Sequence, residues 1–447
     1  MRRLRSGGAG GAVSNGSWSA LQQGATMATN SVIGLLLIVV LPVEEFGAYS
    51  YATALSAVGL AVMSGGLASL GVKILLDPDR SQKTVMAALL VVRELLALVA
   101  VGLVAAVAAT SSDRVVLVAA LVASASLVAR AFDAPELWYR STMNIRVVAA
   151  RRLLVTAAFF VARLASLLLF QDLWVFIGLF VLEAVVSSAT IWLTYRRDPQ
   201  SPGVGRTSVR ESLGLLRESW PLLLSGLANQ ANLRSDVIVI QAVLGAASVG
   251  VYSAAARMSE LAFFLPVVFM NATLPLLLAA RREEGPQGRG YKALLQRSYD
   301  GAFWLGVGVA VLAGTVGTVF ITFFLDDDYA PAVPILWTLV VACPFVFMAA
   351  VYSKWIIAEG VLWASVTRHT IGAVANVALN LALLPLLGIQ AAAYATVTSY
   401  ILSSYASCFL GRTSRVAGVQ MTLAVAAPVR LLRDRRNGTP PPDIHES

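Results

Sequence analysis

Charge is scarce in this chain. Only 13% of its 447 residues are Asp, Glu, Lys or Arg, whereas a soluble domain carries roughly a quarter. That shortage excludes an ordinary water-facing surface over most of the molecule. Cysteine is nearly missing as well. Cys343 and Cys408 sit inside apolar runs without metal-ligand spacing, which leaves two buried small side chains, or at most one disulfide, as the readings. No GxxxxGK[ST] stretch is present, so a phosphate-binding loop of that kind is excluded. Any work the protein does must draw on something other than its own nucleotide hydrolysis. No cofactor or metal is implied. The start, "MRRLR", leads into polar, Gly-rich residues and then a long first span, so no cleavable signal peptide is expected.

What the sequence has in quantity is apolar length. Hydrophobic residues make up 57% of the chain, and mean hydropathy is +0.74. Runs long enough to cross a bilayer, about 20 residues each, recur almost from end to end. The chain reads as an all-α polytopic membrane protein. Apolar windows give twelve spans, roughly 18–42, 47–74, 86–109, 115–135, 150–169, 173–195, 219–243, 249–279, 300–325, 332–353, 361–385 and 389–411.

Orientation follows from the basic residues. The loops on the N-terminal side of these spans hold 26 Lys and Arg, and the opposite loops hold Arg114 alone. That asymmetry puts both termini in the cytoplasm, and it reads the net charge of +9 as loops facing anionic membrane lipids, with no nucleic-acid partner. The windows divide the chain into an N-terminal six-helix lobe, 1–195, a cytoplasmic linker, 196–218, a C-terminal six-helix lobe, 219–412, and a cytoplasmic tail, 413–447. The linker, "RRDPQSPGVGRTSVRESLGLLRES", turns amphipathic and predicts a short surface helix. "VAGVQMTLAVAAPVRLLRDRR" reads either as a surface segment or as a partial extra span interrupted by Pro428, and the final "LRDRRNGTPPPDIHES" as disorder.

One stretch is written twice. "FGAYSYATAL" at 46–55 returns as "VGVYSAAARM" at 249–258, with Gly47, Tyr49, Ser50 and Ala52 aligned on Gly250, Tyr252, Ser253 and Ala255 at a constant offset of 203. An interval of six helices keeps both copies facing the same way across the bilayer. The pattern predicts a duplicated unit with halves related by an axis along the membrane normal, and a central cavity between the two bundles. The competing reading is chance recurrence of small residues and Tyr at membrane interfaces.

Five basic residues, Arg93, Arg163, Arg234, Arg257 and Arg368, fall inside spans, as do Glu94, Glu183, Asp236 and Glu260. Lys73 and Arg130 fall near helix ends, from which they can snorkel. A charge at the bilayer centre costs about 2.5–3.5 kcal/mol or more, so these groups should face a watery cavity or one another. Internal ion pairs, such as Arg257 with Glu260 one turn on, are the alternative. Span seven is the most informative. Ser225, Asn229, Asn232 and Asp236 form one narrow stripe, with Gln230, Arg234 and Gln241 on the other side. Span one carries a weaker stripe of Gln23, Thr26 and Asn30. Span eleven carries His369, Asn376 and Asn380 beside Arg368, and interhelical hydrogen bonding accounts for those asparagines equally well. Fixed positive charge in a cavity suits a phosphate-bearing ligand, because guanidinium forks match phosphate oxygens. The candidate substrate-binding residues are therefore Arg234, Arg257, Arg163, Arg93, Asn229 and Asn232. Asp236 and Glu183 are candidates to carry H⁺ or Na⁺ for ion coupling.

Four segments together, "GAYSYATAL", "WPLLLSGLANQANLRSDVIVI", "VGVYSAAARMSELAFFLPVVFMNATLPLL" and "NVALNLALLPLLGIQAAAYATVTSY", resemble the polysaccharide flippases of the multidrug/oligosaccharidyl-lipid/polysaccharide exporter superfamily. The resemblance covers about 15–412, and the stretch from Leu384 to Tyr400 is its most telling piece. It implies two six-helix lobes that alternate between inward-open and outward-open V shapes around a central cationic cavity. It also implies movement of undecaprenyl-diphosphate-linked glycan units across a bacterial cytoplasmic membrane, as in O-antigen, lipopolysaccharide or exopolysaccharide synthesis. A polymerase and glycosyltransferases of the same pathway would then be partners. Arg234 and Asp236 match a basic-x-acidic position of helix seven in that family, and Arg257 matches a basic residue after the "YSAA" turn.

Rival functions remain. A drug/cation antiporter of the same superfamily would want an acid-dominated cavity, which the arginine excess disfavours. Peptidoglycan-precursor flippases usually carry more spans than the twelve counted here. A membrane-embedded glycosyltransferase or polymerase needs large external loops with catalytic groups; here those loops are short, and "DDDY" at 326–329 is their sole acidic cluster, so no enzyme is expected. A structural scaffold does not explain intramembrane charge.

Overall fold

The computed structural model describes residues 9–263 and 265–430, and every regular element among them is a helix. By packing, the chain divides into two units, one ending at Ser253 and the other beginning at Ala254. The first contains α1 (Ala9–Val40), α2 (Val43–Ser64), α3 (Leu67–Leu75), α4 (Gln82–Ala108), α5 (Arg114–Ala131), α6 (Pro135–Ser141), α7 (Ile145–Leu169), α8 (Leu173–Arg197), α9 (Val209–Leu244) and the start of α10 (Ala246–Ala262). The second holds the rest of α10, α11 (Leu265–Glu284), α12 (Arg289–Phe324), α13 (Ala332–Val340), α14 (Cys343–Glu359), α15 (Leu362–Leu387), α16 (Gln390–Ser404) and α17 (Arg415–Val425).

Each of the twelve apolar windows coincides with one helix or one broken pair. Among the described residues eight helices are long and apolar enough to cross a membrane, or nine when the segments 327–340 and 343–359, bent by 41°, count as one span. The remaining three windows fall short for visible reasons. Polar residues dilute α9, α16 has only 15 residues, and α10 and α11, of 17 and 20 residues, are separate helices. The second window is also broken: Gly65 and Gly66 take φ of 55° and 69° between α2 and α3. A Cβ on Gly66 would lie 2.7 Å from the Leu223 backbone nitrogen, so glycine there lets α9 approach.

Helix starts are fixed locally. Asp113 and Asp172 accept from the backbone N–H groups of Val115 and Trp174 at 2.8 and 2.7 Å, satisfying donors that the first turns of α5 and α8 leave open. Ser208 and Glu211 form a reciprocal capping box at the start of α9. The surface helix expected in the linker is not a separate element. It runs on through Pro221 into the seventh span, giving one helix of 36 residues, about 54 Å at 1.5 Å per residue.

In the first unit α2 packs against α4, α5 and α9, and α7 packs against α1 and α8. A core of Met86, Leu89, Trp138, Tyr139, Tyr195 and Leu215 joins α4, α6, α8 and α9. The seven-residue α6, absent from the sequence expectations, is held there by Trp138, whose ring meets Tyr139 and Tyr195 edge-on at 4.8 and 5.6 Å. In the second unit α15 and α16 pair, and α12 packs against α11, α13, α14 and α17. The Glu359 carboxylate, on α14, accepts from Arg281 Nε and Tyr291 Oη, both at 2.9 Å.

The segment read as a surface stretch or partial span is a short helix docked on α12. Trp304 Nε1 donates to the Ala424 carbonyl at 3.1 Å, Gln296 Nε2 to the Gln420 carbonyl at 3.0 Å, and Arg430 pairs with Asp300. The 11 residues of α17 reach only about 16 Å, short of the roughly 30 Å hydrocarbon core. The "MRRLR" start and the "LRDRRNGTPPPDIHES" end lie outside the described residues.

Candidate functional site

The polar stripe of α9 lies on accessible surface over most of its length. Ser225 and Asn229 are exposed, Asn232 and Arg234 are half-buried, and Asp236 is buried. The Asp236 carboxylate accepts a hydrogen bond from Tyr252 Oη at 2.7 Å. Tyr252 is the tyrosine of the repeated motif, so the repeat and the stripe meet at this carboxylate. Sequence spacing did not reveal that pairing. In α1, Gln23 and Asn30 are exposed and Thr26 is half-buried, so this stripe also stays unpacked. An amide exposed within the apolar length of a helix is costly against lipid, which favours water on these faces.

Arg163 and Glu183 are brought together. They join α7 to α8 as an ion pair at 2.6 Å, with side-chain exposures of 4% and 18%. Arg93 lies elsewhere. On α4 it donates from Nη2 to the Arg130 carbonyl at 3.0 Å, near the end of α5. Around it gather Asp133, Glu136 and Arg152. Arg152 pairs with Asp133 and Glu136, each at 2.8 Å, and Arg140 Nε donates to Glu136 at 2.9 Å. Burial pushes the Glu136 carboxyl upward, but the Arg152 and Arg140 guanidinium groups outweigh that and hold it below its ordinary value. In the sequence, Arg140 and Arg152 fall among the 26 basic residues of the N-terminal-side loops, and Arg130 falls near a helix end from which it can snorkel. The available signal was Asp133 and Glu136, three residues apart at the end of a span.

Arg257 belongs to the second unit, half-buried on α10. Arg368 is 9% exposed. It donates to the Ala349 carbonyl and to Ser353 Oγ at 3.3 and 2.9 Å, with its guanidinium 5.5 Å from the centre of the Tyr352 ring. Asn376 and Asn380 are fully buried, Asn380 donating to Asn376 Oδ1 at 3.0 Å. These three groups serve helix packing, the alternative weighed for the asparagines. Both cysteines are free and buried. Among the described residues no cluster of His, Cys, Asp and Glu could hold a metal ion.

The fold matches solved structures along nearly its whole length. One is described as lipid II flippase MurJ, inward closed conformation, with a TM-score of 0.69 at 15% identity, covering 92% of this chain and 93% of that one. Another is an inward-facing multidrug resistance MATE family transporter of the MOP superfamily, with a TM-score of 0.63 at 15% identity, covering 90% and 95%. A MOP superfamily transporter from Pyrococcus furiosus, described as having a binding pocket of reverse polarity, gives 0.54 at 15% identity, covering 93% and 96%. A comparison with curated proteins gives no match. The chain is thus an integral membrane protein with the fold of the MOP superfamily, twelve membrane helices in two six-helix bundles. It belongs to the polysaccharide biosynthesis protein family, whose model matches residues 37–334. The resemblance carried by the four quoted segments is borne out.

Proposed function

We propose that this protein is a flippase for an undecaprenyl-diphosphate-linked oligosaccharide. It moves the lipid-linked unit from the cytoplasmic to the external leaflet of a bacterial cytoplasmic membrane, both termini being cytoplasmic. The O-antigen, lipopolysaccharide and exopolysaccharide pathways all use such units, and the glycosyltransferases and polymerase of one pathway would work beside it. Transport would proceed by alternating access. One observation carries the reading. The polar stripe of α9 remains accessible at Ser225 and Asn229 and leads to Arg234 and Asp236 within a membrane helix, which is what a water-filled path for a charged headgroup requires.

In this reading Arg234 and Arg257 bind the diphosphate, Asn229 and Asn232 hydrogen-bond sugar hydroxyls, and Asp236 carries the coupling H⁺ or Na⁺. Arg163 and Glu183, both candidates by charge, neutralise each other. A peptidoglycan precursor on the same diphosphate handle is the second reading, favoured by the likeness to MurJ.

The test is flipping of a fluorescent lipid-linked oligosaccharide in liposomes. Arg234→Ala and Arg257→Ala should each slow it at least tenfold with melting temperature retained. Unchanged rates in both variants overturn the cationic site. Competition between a peptidoglycan precursor and an oligosaccharide lipid separates the two substrates.

A further inference from the structure

The charge left over in the first unit points to another anion site. Five guanidinium groups, those of Arg93, Arg130, Arg140, Arg152 and Arg163, gather there with three carboxylates, Asp133, Glu136 and Glu183. All three carboxylates are engaged: Asp133 by Arg152, Glu136 by Arg152 and Arg140, and Glu183 by Arg163. Neither Arg93 nor Arg130 makes an ion pair among the described residues, although the charged neighbours of Arg130 include Asp133 and Glu183. The Arg130 side chain makes no hydrogen bond there either. Arg93 Nε and Arg152 Nε are buried without hydrogen-bond partners, as are the acceptor atoms Asp133 Oδ1 and Glu94 Oε1 beside them. Glu94 follows Arg93 but points about 100° further round α4; counting it still leaves guanidinium in excess.

A buried donor that makes no hydrogen bond and guanidinium in excess of carboxylate are both costly, and an evolved interior rarely keeps several such groups together without use. Arg93 and Arg130 are half-buried, so a ligand can reach them. A phosphate or diphosphate fits in charge, and its oxygens accept from several guanidinium N–H groups at once. We propose that Arg93 and Arg130, with the free Nε edge of Arg152, form a phosphate-type anion site in the first unit, distinct from Arg234 and Arg257. On the orientation proposed above, the site lies toward the cytoplasmic side. Its physiological role rests on the flippase reading: it would hold the lipid diphosphate as the substrate is loaded, whereas a free phosphate would make it a regulatory site.

The experiment titrates inorganic pyrophosphate calorimetrically into the full-length protein in nanodiscs, with and without polyprenyl diphosphate in the lipid. Arg130→Gln and Arg93→Gln should each weaken pyrophosphate binding at least tenfold, and Arg130→Lys should restore most of it. Melting temperatures confirm that each variant is folded. Competition by polyprenyl diphosphate assigns the site to the lipid headgroup, and pyrophosphate binding without competition assigns it to free phosphate and overturns the loading role. Unchanged pyrophosphate binding in folded Arg130→Gln and Arg93→Gln overturns the site. That result leaves the flippase reading intact, because the reading fails separately if wild-type protein moves no lipid-linked glycan.

Discussion

Gly47 and Gly250 meet backbone to backbone where α2 and α10 begin. A Cβ on Gly47 would lie 1.9 Å from the Ala246 carbonyl oxygen, and one on Gly250 would lie 2.1 Å from the Val43 carbonyl oxygen. The offset that relates the two glycines, 203 residues, also relates Val43 to Ala246. The contact is therefore self-complementary, like an isologous interface within one chain. It explains why the motif is written twice: each copy supplies the gap that the other fills.

Either glycine becoming Val should force the helices apart, costing about 1–3 kcal/mol as overpacking does. The double variant should cost less than the sum, since both changes open one contact. Unfolding of single and double variants in detergent measures this, and strict additivity would contradict the shared contact.

Tyr252→Phe should destabilise the protein by about 1–3 kcal/mol through loss of a donor to a buried acceptor. Asp236→Asn removes the charge but keeps an oxygen to accept from Tyr252. If Asp236 carries the coupling ion, liposomes containing this variant should show flipping that no longer responds to an imposed H⁺ or Na⁺ gradient.

Arg163→Ala leaves the Glu183 carboxylate unpaired and should cost about 3–5 kcal/mol, whereas Arg163→Met with Glu183→Leu should cost far less. Chemical denaturation distinguishes the two. A flipping rate that stays normal in the folded double variant would confirm that the pair acts in packing.

The Glu136 carboxyl, held below its ordinary value of 4.5 by Arg152 and Arg140, contributes stability that is complete above that value. The contribution is lost as pH falls through the lower folded value. Melting temperature measured between pH 7 and pH 3 should drop more steeply at the acid end for wild type than for Glu136→Gln.

Much of this was legible because lipid imposes a simple rule on sequence. Apolar length alone located all twelve helices or broken pairs, and the spacing of Ser225, Asn229, Asn232 and Asp236 marked α9 as unusual. The break at Gly65–Gly66 was hidden inside a continuous apolar run. The seven-residue α6 was too short to show a period. Partners on different helices were the hardest to see. Arg163 has no acid near it along α7, and Glu183 reaches it only because α7 and α8 pack side by side. Asn376 and Asn380 announced themselves as polar, but spacing on one helix cannot say whether such a face meets water or another helix.

The unbroken course of α9 has a mechanical meaning. A single helix capped at Ser208 and ending at Gly245 carries both the last linker residues and Asp236. The end of the linker and the seventh span are therefore one continuous rod, and a force on its first turns is passed along backbone hydrogen bonds toward the buried carboxylate.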